Sequence, residues 1–192
     1  MSASRIEEVP RAEWTDDVAS LLLGTVRQVR GMEGDHTSGD DEPLPILKVL
    51  AHQPPLLRPF LEWAAALALQ GALAHRDAEL LALRAAWNCR SSFEWEHHAR
   101  FALAAGATED EVARVAVPGY KGWAERDAAL VRAADELHRD TRVSDEAWSV
   151  LTASFGAPEL VEIPLVVGQY SMLSMLANVA GLSAEGDLGP GW

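Results

Sequence analysis

The chain has 192 residues and a mass of 20.8 kDa, a size that suits one globular domain with a substantial core. Its 16 Lys and Arg residues against 29 Asp and Glu residues give a formal net charge of −13, and such a surface repels phosphate backbones and anionic membranes. We therefore expect neither nucleic acid nor a membrane as a partner. The single cysteine, Cys89, excludes an intramolecular disulfide, a zinc-thiolate cluster and a Cys-x-x-Cys redox pair.

The compartment is predicted from the same features. The first residues lack the basic and then apolar pattern of a signal peptide. The apolar stretch 56–73 is interrupted by Arg58, Pro59, Glu62 and Gln70, so we do not expect it to span a membrane. One thiol and no export signal predict a cytoplasmic protein.

Apolar residues recur at three- and four-residue steps along nearly the whole chain, which predicts an all-α, single-domain bundle of eight or so helices. We expect an N-terminal helix and flexible loop over 1–45, with the loop at 31–45, a helical core over 46–182, and a loose Gly-rich tail over 183–192. Helices are predicted at about 16–32, 46–52, 55–73, 76–89, 92–105, 123–139, 145–155 and 159–180, with a further start at the capping-box sequence 108–111.

The last helix has an alternative. Residues 159–180 are rich in β-branched side chains, so a strand is possible for the first half of this segment. Its length of about twenty residues without a turn signal favours a helix.

The polar residues of the segment CRSSFEWEHHAR are the main candidates for chemistry. On a helix, Ser91, Glu94, Trp95 and His98 stand at offsets of zero, three, four and seven, so they are predicted to share one face. A carboxylate four residues from an imidazole can raise its proton affinity and fix its tautomer, as a general base near neutral pH requires. Glu79, in the preceding helix, can reach the same place if the two helices form an antiparallel pair.

Other interpretations of this motif stand beside the catalytic one. A Glu–His pair at this spacing is common on solvent-exposed helix faces, where it only adds slightly to helix stability. It also supplies two metal ligands, although His52, His75 and His138 have no partners at ligand spacing. A Ser91 nucleophile lacks the Gly-x-Ser-x-Gly sequence, and Cys89 is expected to be a buried, inert thiol.

A second group of polar residues interrupts the apolar segment 159–180. Tyr170, Ser174 and Asn178 recur at four-residue steps beside Gln169, making one polar stripe. Such groups, when buried, need partners. The stripe predicts either an internal hydrogen-bond network or the wall of a pocket.

Residues 76–116, RDAELLALRAAWNCRSSFEWEHHARFALAAGATEDEVARVA, resemble the carboxymuconolactone decarboxylase and alkylhydroperoxidase-D-like superfamily, and LAHQPPLLRPFLEW and VGQYSMLSMLAN extend the resemblance over most of the chain after residue 46. The peroxidase branch of that superfamily carries Glu-x11-Cys-x2-Cys-x3-His. Its positions fall here on Glu79, Ser91, Glu94 and His98. The glutamate and histidine are kept, and both redox cysteines are replaced.

The resemblance implies an all-α fold built on a central helical hairpin, assembled as a homo-oligomer with the site near a subunit interface. It favours the branch without the redox dithiol, and hence acid–base catalysis without cofactor or metal. His98 is then the proton-transferring group, Glu94 orients it and Glu79 completes a relay. The substrate end is assigned to Ser91, Trp95 and Tyr170.

Three functional hypotheses follow. The first is decarboxylation or a related proton transfer on a small carboxylate or lactone, for which Arg84 or Arg100 is the candidate cation toward an anionic substrate. The second is a peroxidase or antioxidant activity, against which the single Cys89 argues because it needs an external resolving thiol. The third is an oligomeric protein that binds a small molecule without turning it over.

Overall fold

The computed structural model describes the backbone of residues 4–33 and 42–184, and the side chains of residues 4–26 and 42–184. Within these residues the chain is helical, with no strand, which confirms the all-α prediction. A short 3-10 turn at Arg11–Glu13 precedes nine α-helices of the described chain. These are α1 (Asp16–Glu33), α2 (Pro45–Leu50), α3 (Pro54–Gln70), α4 (His75–Asn88), α5 (Ser92–Ala104), α6 (Glu109–Val115), α7 (Glu125–Asp140), α8 (Asp145–Ser154) and α9 (Ala157–Ala180).

Parts of two segments that the sequence predicts to be irregular lie outside the residues that the structure describes. Helix α1 continues to Glu33 and α2 begins at Pro45, so the loop predicted over 31–45 is shorter at both ends. Residues 34–41 of that loop, and residues 185–192 of the predicted tail, lie outside the described residues.

Local capping sets several of the helix ends where the sequence predicts them. Thr108 Oγ1 accepts from the backbone N–H of Glu111, and the Glu111 carboxylate accepts from the backbone N–H of Thr108, which completes a capping box. Ser144 caps α8 through the backbone N–H of Ala147. Gly106 follows α5 at φ 93°, a left-handed conformation that glycine adopts without strain.

Helix α9 settles the alternative between helix and strand. Residues 157–180 form one helix of 24 residues that packs against α4, α5 and α7. By length and composition this helix, rather than the stretch 56–73, could cross a membrane, and 39% of its most apolar window is buried inside the protein. Its β-branched residues Ile163, Val166 and Val167 are buried in a core cluster with α4 and α7, where packing outweighs their strand propensity.

Helices α4 and α5 form the central hairpin. Cys89, Arg90 and Ser91 connect them, with Arg90 at φ 52°, and so short a connection makes the two helices antiparallel neighbours. Helix α4 packs against α5, α6, α7 and α9, so it is buried on most of its faces. Polar side chains of α4 that point toward α5 or α9 are therefore held inside the protein.

Candidate active site

The hairpin brings Glu79, Glu94 and His98 together. His98 Nδ1–H donates to Glu79 Oε2 across 2.7 Å, and His98 Nε2 lies 3.5 Å from Glu94 Oε2. All three side chains are buried, with residue exposures of 7%, 4% and 4%. The Glu–His pair is thus not a solvent-exposed helix pair: it is an internal centre in which one imidazole contacts two carboxylates.

The charge state of His98 follows from this environment. Burial alone lowers the pKa of an imidazole, because it penalises the charged form. Here the carboxylates of Glu79 and Glu94 outweigh burial and raise the pKa of His98 to about 9. His98 is therefore protonated near neutral pH and holds a proton that it can donate.

An apolar cavity of about 140 Å³ adjoins this centre. His98 and Glu94 lie in its wall, together with Tyr170, whose ring packs edge-on against the His98 imidazole at a centroid distance of 4.1 Å. Burial, with Glu79 and Glu94 nearby, raises the pKa of Tyr170, so this phenol stays neutral. The remaining lining is mostly aliphatic and aromatic and comes from α2, α3, α5 and α9: Leu44, Ile46, Leu47, Phe60, Leu61, Ala64, Ala65, Ala68, Leu69, Phe93, Phe101 and Leu173.

Gln169 of α9 is a further polar side chain in the cavity wall. The indole N–H of Trp63 donates to Gln169 Oε1 across 2.9 Å. Gln169 is buried and lines the cavity, and an amide that accepts through its oxygen is left with its N–H groups as donors. Gln169 stands beside the polar stripe noted in the sequence, whereas nothing in the sequence indicates its pairing with Trp63.

His97, one position from His98 and thus about 100° away around α5, also lines the cavity. Its Nδ1–H donates to the carbonyl oxygen of Phe93 across 2.8 Å, which leaves Nε2 as the acceptor of the neutral ring. Burial lowers the pKa of His97. Adjacent residues of α5 thus present two imidazoles to one cavity, one charged and one neutral.

Ser91 and Trp95 do not line this cavity, contrary to the prediction that they share the face of Glu94 and His98. Ser91 is the N-cap of α5, and its hydroxyl accepts from the backbone N–H of Glu94. Trp95 lies in a different core cluster and contacts Trp87 at a centroid distance of 6.1 Å. Residues at offsets of zero, three, four and seven spread over about 100° of a helix surface. On a helix that is buried on several sides, the two edges of such a stripe contact different neighbouring helices.

The two arginines considered for an anionic substrate are engaged elsewhere. Arg84 is buried and binds Asp135, with Nε to Oδ1 at 2.6 Å and Nη2 to Oδ2 at 2.8 Å. Arg100 pairs with Glu96 one turn earlier on α5. Neither lines the cavity, and the described part of its wall holds no Lys or Arg.

Cys89 and the third member of the polar stripe, Asn178, lie away from the cavity. Cys89 is half-buried at the end of α4, with Sγ 3.8 Å from His138 Nδ1, and burial raises the pKa of its thiol. It is less buried than predicted. Asn178 Nδ2 donates to the Cys89 carbonyl oxygen across 2.8 Å, a structural contact between α9 and the hairpin turn.

Metal binding by the centre finds no support in its geometry. Among residues 4–26 and 42–184, whose side chains the structure describes, no group of three or more His, Cys, Asp or Glu side chains is arranged so that it could hold a metal ion.

Comparison with known families gives one match. Residues 54–136 match the model of the carboxymuconolactone decarboxylase family. This range contains α3 to α6 and most of α7, and therefore Glu79, Glu94 and both cavity histidines. None of the curated protein sequences compared with the chain matches it.

Solved structures share the fold. The debrominase Bmp8 in complex with 2,3,4-tribromopyrrole superposes with a TM-score of 0.75 at 11% identity, covering 95% of this chain and 92% of that one. A peroxidase-related protein with an alkylhydroperoxidase AhpD core, from Ralstonia eutropha JMP134, gives a TM-score of 0.70 at 21% identity and covers 97% and 96%. A protein of unknown function from Agrobacterium tumefaciens gives 0.64 at 20% identity and covers 71% and 95%.

Proposed function

We propose that this chain, whose residues 54–136 match the carboxymuconolactone decarboxylase family model and whose fold is shared with a protein that has an alkylhydroperoxidase AhpD core, is a cofactor-free acid–base enzyme with the buried histidine centre as its active site. The observation that carries the proposal is the 2.7 Å hydrogen bond between His98 Nδ1 and Glu79 Oε2 at the wall of an apolar cavity. A carboxylate beside a buried imidazole orients the ring and sets its proton affinity, as general acid–base catalysis requires.

Two neighbouring histidines supply the acid and the base. His98, protonated near neutral pH, donates its proton to the carbonyl oxygen of the substrate. His97, neutral and with Nε2 as an acceptor, takes the proton from the adjacent carbon, so the product of the step is an enol. Environments that move the pKa values of two titratable groups apart are typical of such acid–base pairs.

We propose an uncharged substrate, a lactone in preference to a carboxylate. The Glu94 carboxylate faces the cavity, and the described part of the wall supplies no Lys or Arg to bind an anion. Desolvating a carboxylate beside another carboxylate is unfavourable. The Gln169 amide N–H groups, oriented by Trp63, suit a carbonyl or ring oxygen.

The size of the ligand is also inferred from the cavity. A volume of about 140 Å³ suits one small ring rather than an extended chain. The similarly folded debrominase holds 2,3,4-tribromopyrrole, a small ring without a carboxylate, which supports this substrate class. We assign Tyr170 and Gln169 to substrate contact, and we withdraw that assignment from Ser91 and Trp95.

Decarboxylation is the second candidate, favoured by the match to the carboxymuconolactone decarboxylase family. In that reaction the carbon–carbon bond to the carboxyl group breaks and CO₂ departs. His98 then protonates the carbon atom that had carried the carboxyl group. The carboxylate would enter the cavity without a cation from the described wall, which is the reason for ranking it second.

A substrate panel tests the proposal. Purified protein is assayed against small lactones, the same lactones bearing a carboxylate, and an alkyl hydroperoxide with an external thiol. We expect the unmodified protein to turn over the uncharged lactones. This activity should be lost in His98→Gln and retained in Cys89→Ser. Turnover of the carboxylated lactones alone would replace the proposal by the decarboxylase. Peroxide consumption that Cys89→Ser abolishes would replace it by the peroxidase, and melting shifts without turnover would indicate a binding protein.

A further inference from the structure

A second, smaller cavity adjoins Glu79 outside the cavity assigned to the substrate. Its volume is about 30 Å³, which is sufficient for a water molecule when polar groups line the space. Glu79, Glu162 and His75 supply those groups, and Tyr170 lies in the walls of both cavities. The Glu79 carboxyl, which accepts from His98, is therefore also a wall of this second space.

Glu162 is fixed in the small cavity by backbone. Its Oε2 accepts from the backbone N–H groups of Ala72 and Leu73, the latter at 3.1 Å. A Cβ atom on Gly71 would lie 2.2 Å from Glu162 Oε1, so glycine is what allows the carboxylate to lie against this turn. Glu162 is 7% exposed, and a carboxylate buried to this degree is stable only with such donors.

The small cavity reaches the surface at the start of α4. His75 and Gly71 line it and are both exposed. His75 is the first residue of α4 and stands four residues before Glu79, so the two side chains lie on one face of that helix. An imidazole, whose ring nitrogens can both donate and accept a hydrogen bond, thus stands between the buried carboxyl and solvent.

We propose that the small cavity is a hydrated passage that carries protons between solvent and His98 through Glu79, with His75 as the group at its mouth. The substrate cavity is apolar and is filled when a ligand binds, so it offers protons no polar route during catalysis. The small cavity supplies a separate polar route to the same imidazole. The role of this route in turnover depends on the proposed acid–base function, whereas its existence does not.

The proton balance is simple. The proton on His98 Nδ1 moves to Glu79 Oε2 along their hydrogen bond, leaving a neutral imidazole and a neutral carboxylic acid. Glu79 releases a proton to water in the small cavity and becomes a carboxylate again. That water passes a proton to His75 or directly to bulk solvent. The net change is the loss of one proton from His98, which disposes of a proton that Nε2 has taken up on the cavity side. The reverse sequence returns a proton to Nδ1 of a ring that is protonated on Nε2 alone.

The test is the exchange of the His98 Nδ1 proton with water, measured by nitrogen-15-edited NMR without substrate. Ala78→Leu narrows the small cavity, and Ala64→Leu, a half-buried alanine of α3, narrows only the substrate cavity. We expect Ala78→Leu to slow the exchange by roughly ten-fold or more, because burial protects protons that cannot reach water. Ala64→Leu is expected to leave the exchange rate unchanged.

His75→Gln gives a second variant at an exposed position, which decides the matter if Ala78→Leu does not fold. We expect slower exchange in unbuffered solution and recovery on addition of free imidazole. The passage would be overturned if exchange became slower in Ala64→Leu but not in Ala78→Leu. It would also be overturned if neither Ala78→Leu nor His75→Gln changed the exchange rate. Slowing in Ala78→Leu alone would keep the passage and remove His75 from it. Slower exchange in a protein with no turnover of the substrate panel would reject only the proposed enzymatic function.

Discussion

His98 and Glu79 lie 19 positions apart on two different helices, and yet Nδ1 of the imidazole is 2.7 Å from Oε2 of the carboxylate. Both side chains are buried, so this contact is made in a medium where an unpaired charge is strongly unfavourable. The same contact orients the imidazole, maintains its proton and fixes the α4–α5 hairpin.

The stability of the protein is expected to depend on pH through His98. The pKa of His98 is about 9 in the folded state against about 6.5 unfolded. The folded pKa is the higher one, so the stabilisation is fully present below pH 6.5 and is lost as the pH rises through 9. We expect urea denaturation to show a loss of up to about 3 kcal/mol in the free energy of unfolding over this range. His98→Gln should remove this component, and an equally steep loss in that variant would contradict the assignment.

Glu79→Gln should lower the pKa of His98. The amide keeps the shape of the carboxyl and an oxygen that can accept from Nδ1–H, but it removes one of the two charges that hold the proton. A nearby opposite charge shifts a pKa by about one to three units, so we expect a decrease of that size in an NMR titration of His98. The matched control is Glu146→Gln, at an exposed carboxylate of α8, which should leave the titration unchanged.

Ser91→Ala tests whether the Ser91 hydroxyl caps α5 or contacts the substrate. Loss of an N-cap hydroxyl destabilises a helix by about 1 kcal/mol, and Ser91 caps α5 without reaching the cavity. We expect a lower melting temperature and an unchanged KM. A KM that rises several-fold at constant kcat would restore Ser91 to the substrate site.

We propose that copies of the chain associate through α9, as the family resemblance implies a homo-oligomer. Val161, Met172, Met175 and Val179 are large apolar side chains of this helix that are exposed to 63%, 48%, 58% and 53%, and contiguous apolar surface is typical of interfaces. Light scattering should give a mass above 20.8 kDa. Met175→Glu is expected to lower that mass, whereas Val117→Glu, at an exposed valine outside α9, is not. A monomer for the unmodified chain would contradict the proposal.

Much of the fold was predictable because its signals are local. Thr108 and Ser144 mark helix starts through hydrogen bonds to residues three positions on, and the short connection between α4 and α5 makes a contact between Glu79 and His98 geometrically reasonable. Spacing alone could not decide whether that pair is buried.

The cavity was not predictable, because its wall comes from segments far apart in the chain. Phe60 of α3 and Leu173 of α9 meet only after the helices pack. Helix α5 is buried on several faces, so helical spacing did not show that Trp95 turns away from the cavity and that His97 turns toward it. Which polar residue lines a cavity depends on the tertiary neighbour that each helix face meets.

We propose that His98 transfers protons to and from a small ligand in the apolar cavity. The direct measurement is the exchange of the proton next to the carbonyl group of a lactone in D₂O, followed by proton NMR. The protein should accelerate deuterium incorporation, and His98→Gln should reduce the rate by about 10² to 10⁴, whereas His138→Gln, beside Cys89 and outside the cavity, should not. Equal rates of deuterium incorporation for the unmodified protein and His98→Gln would contradict the account.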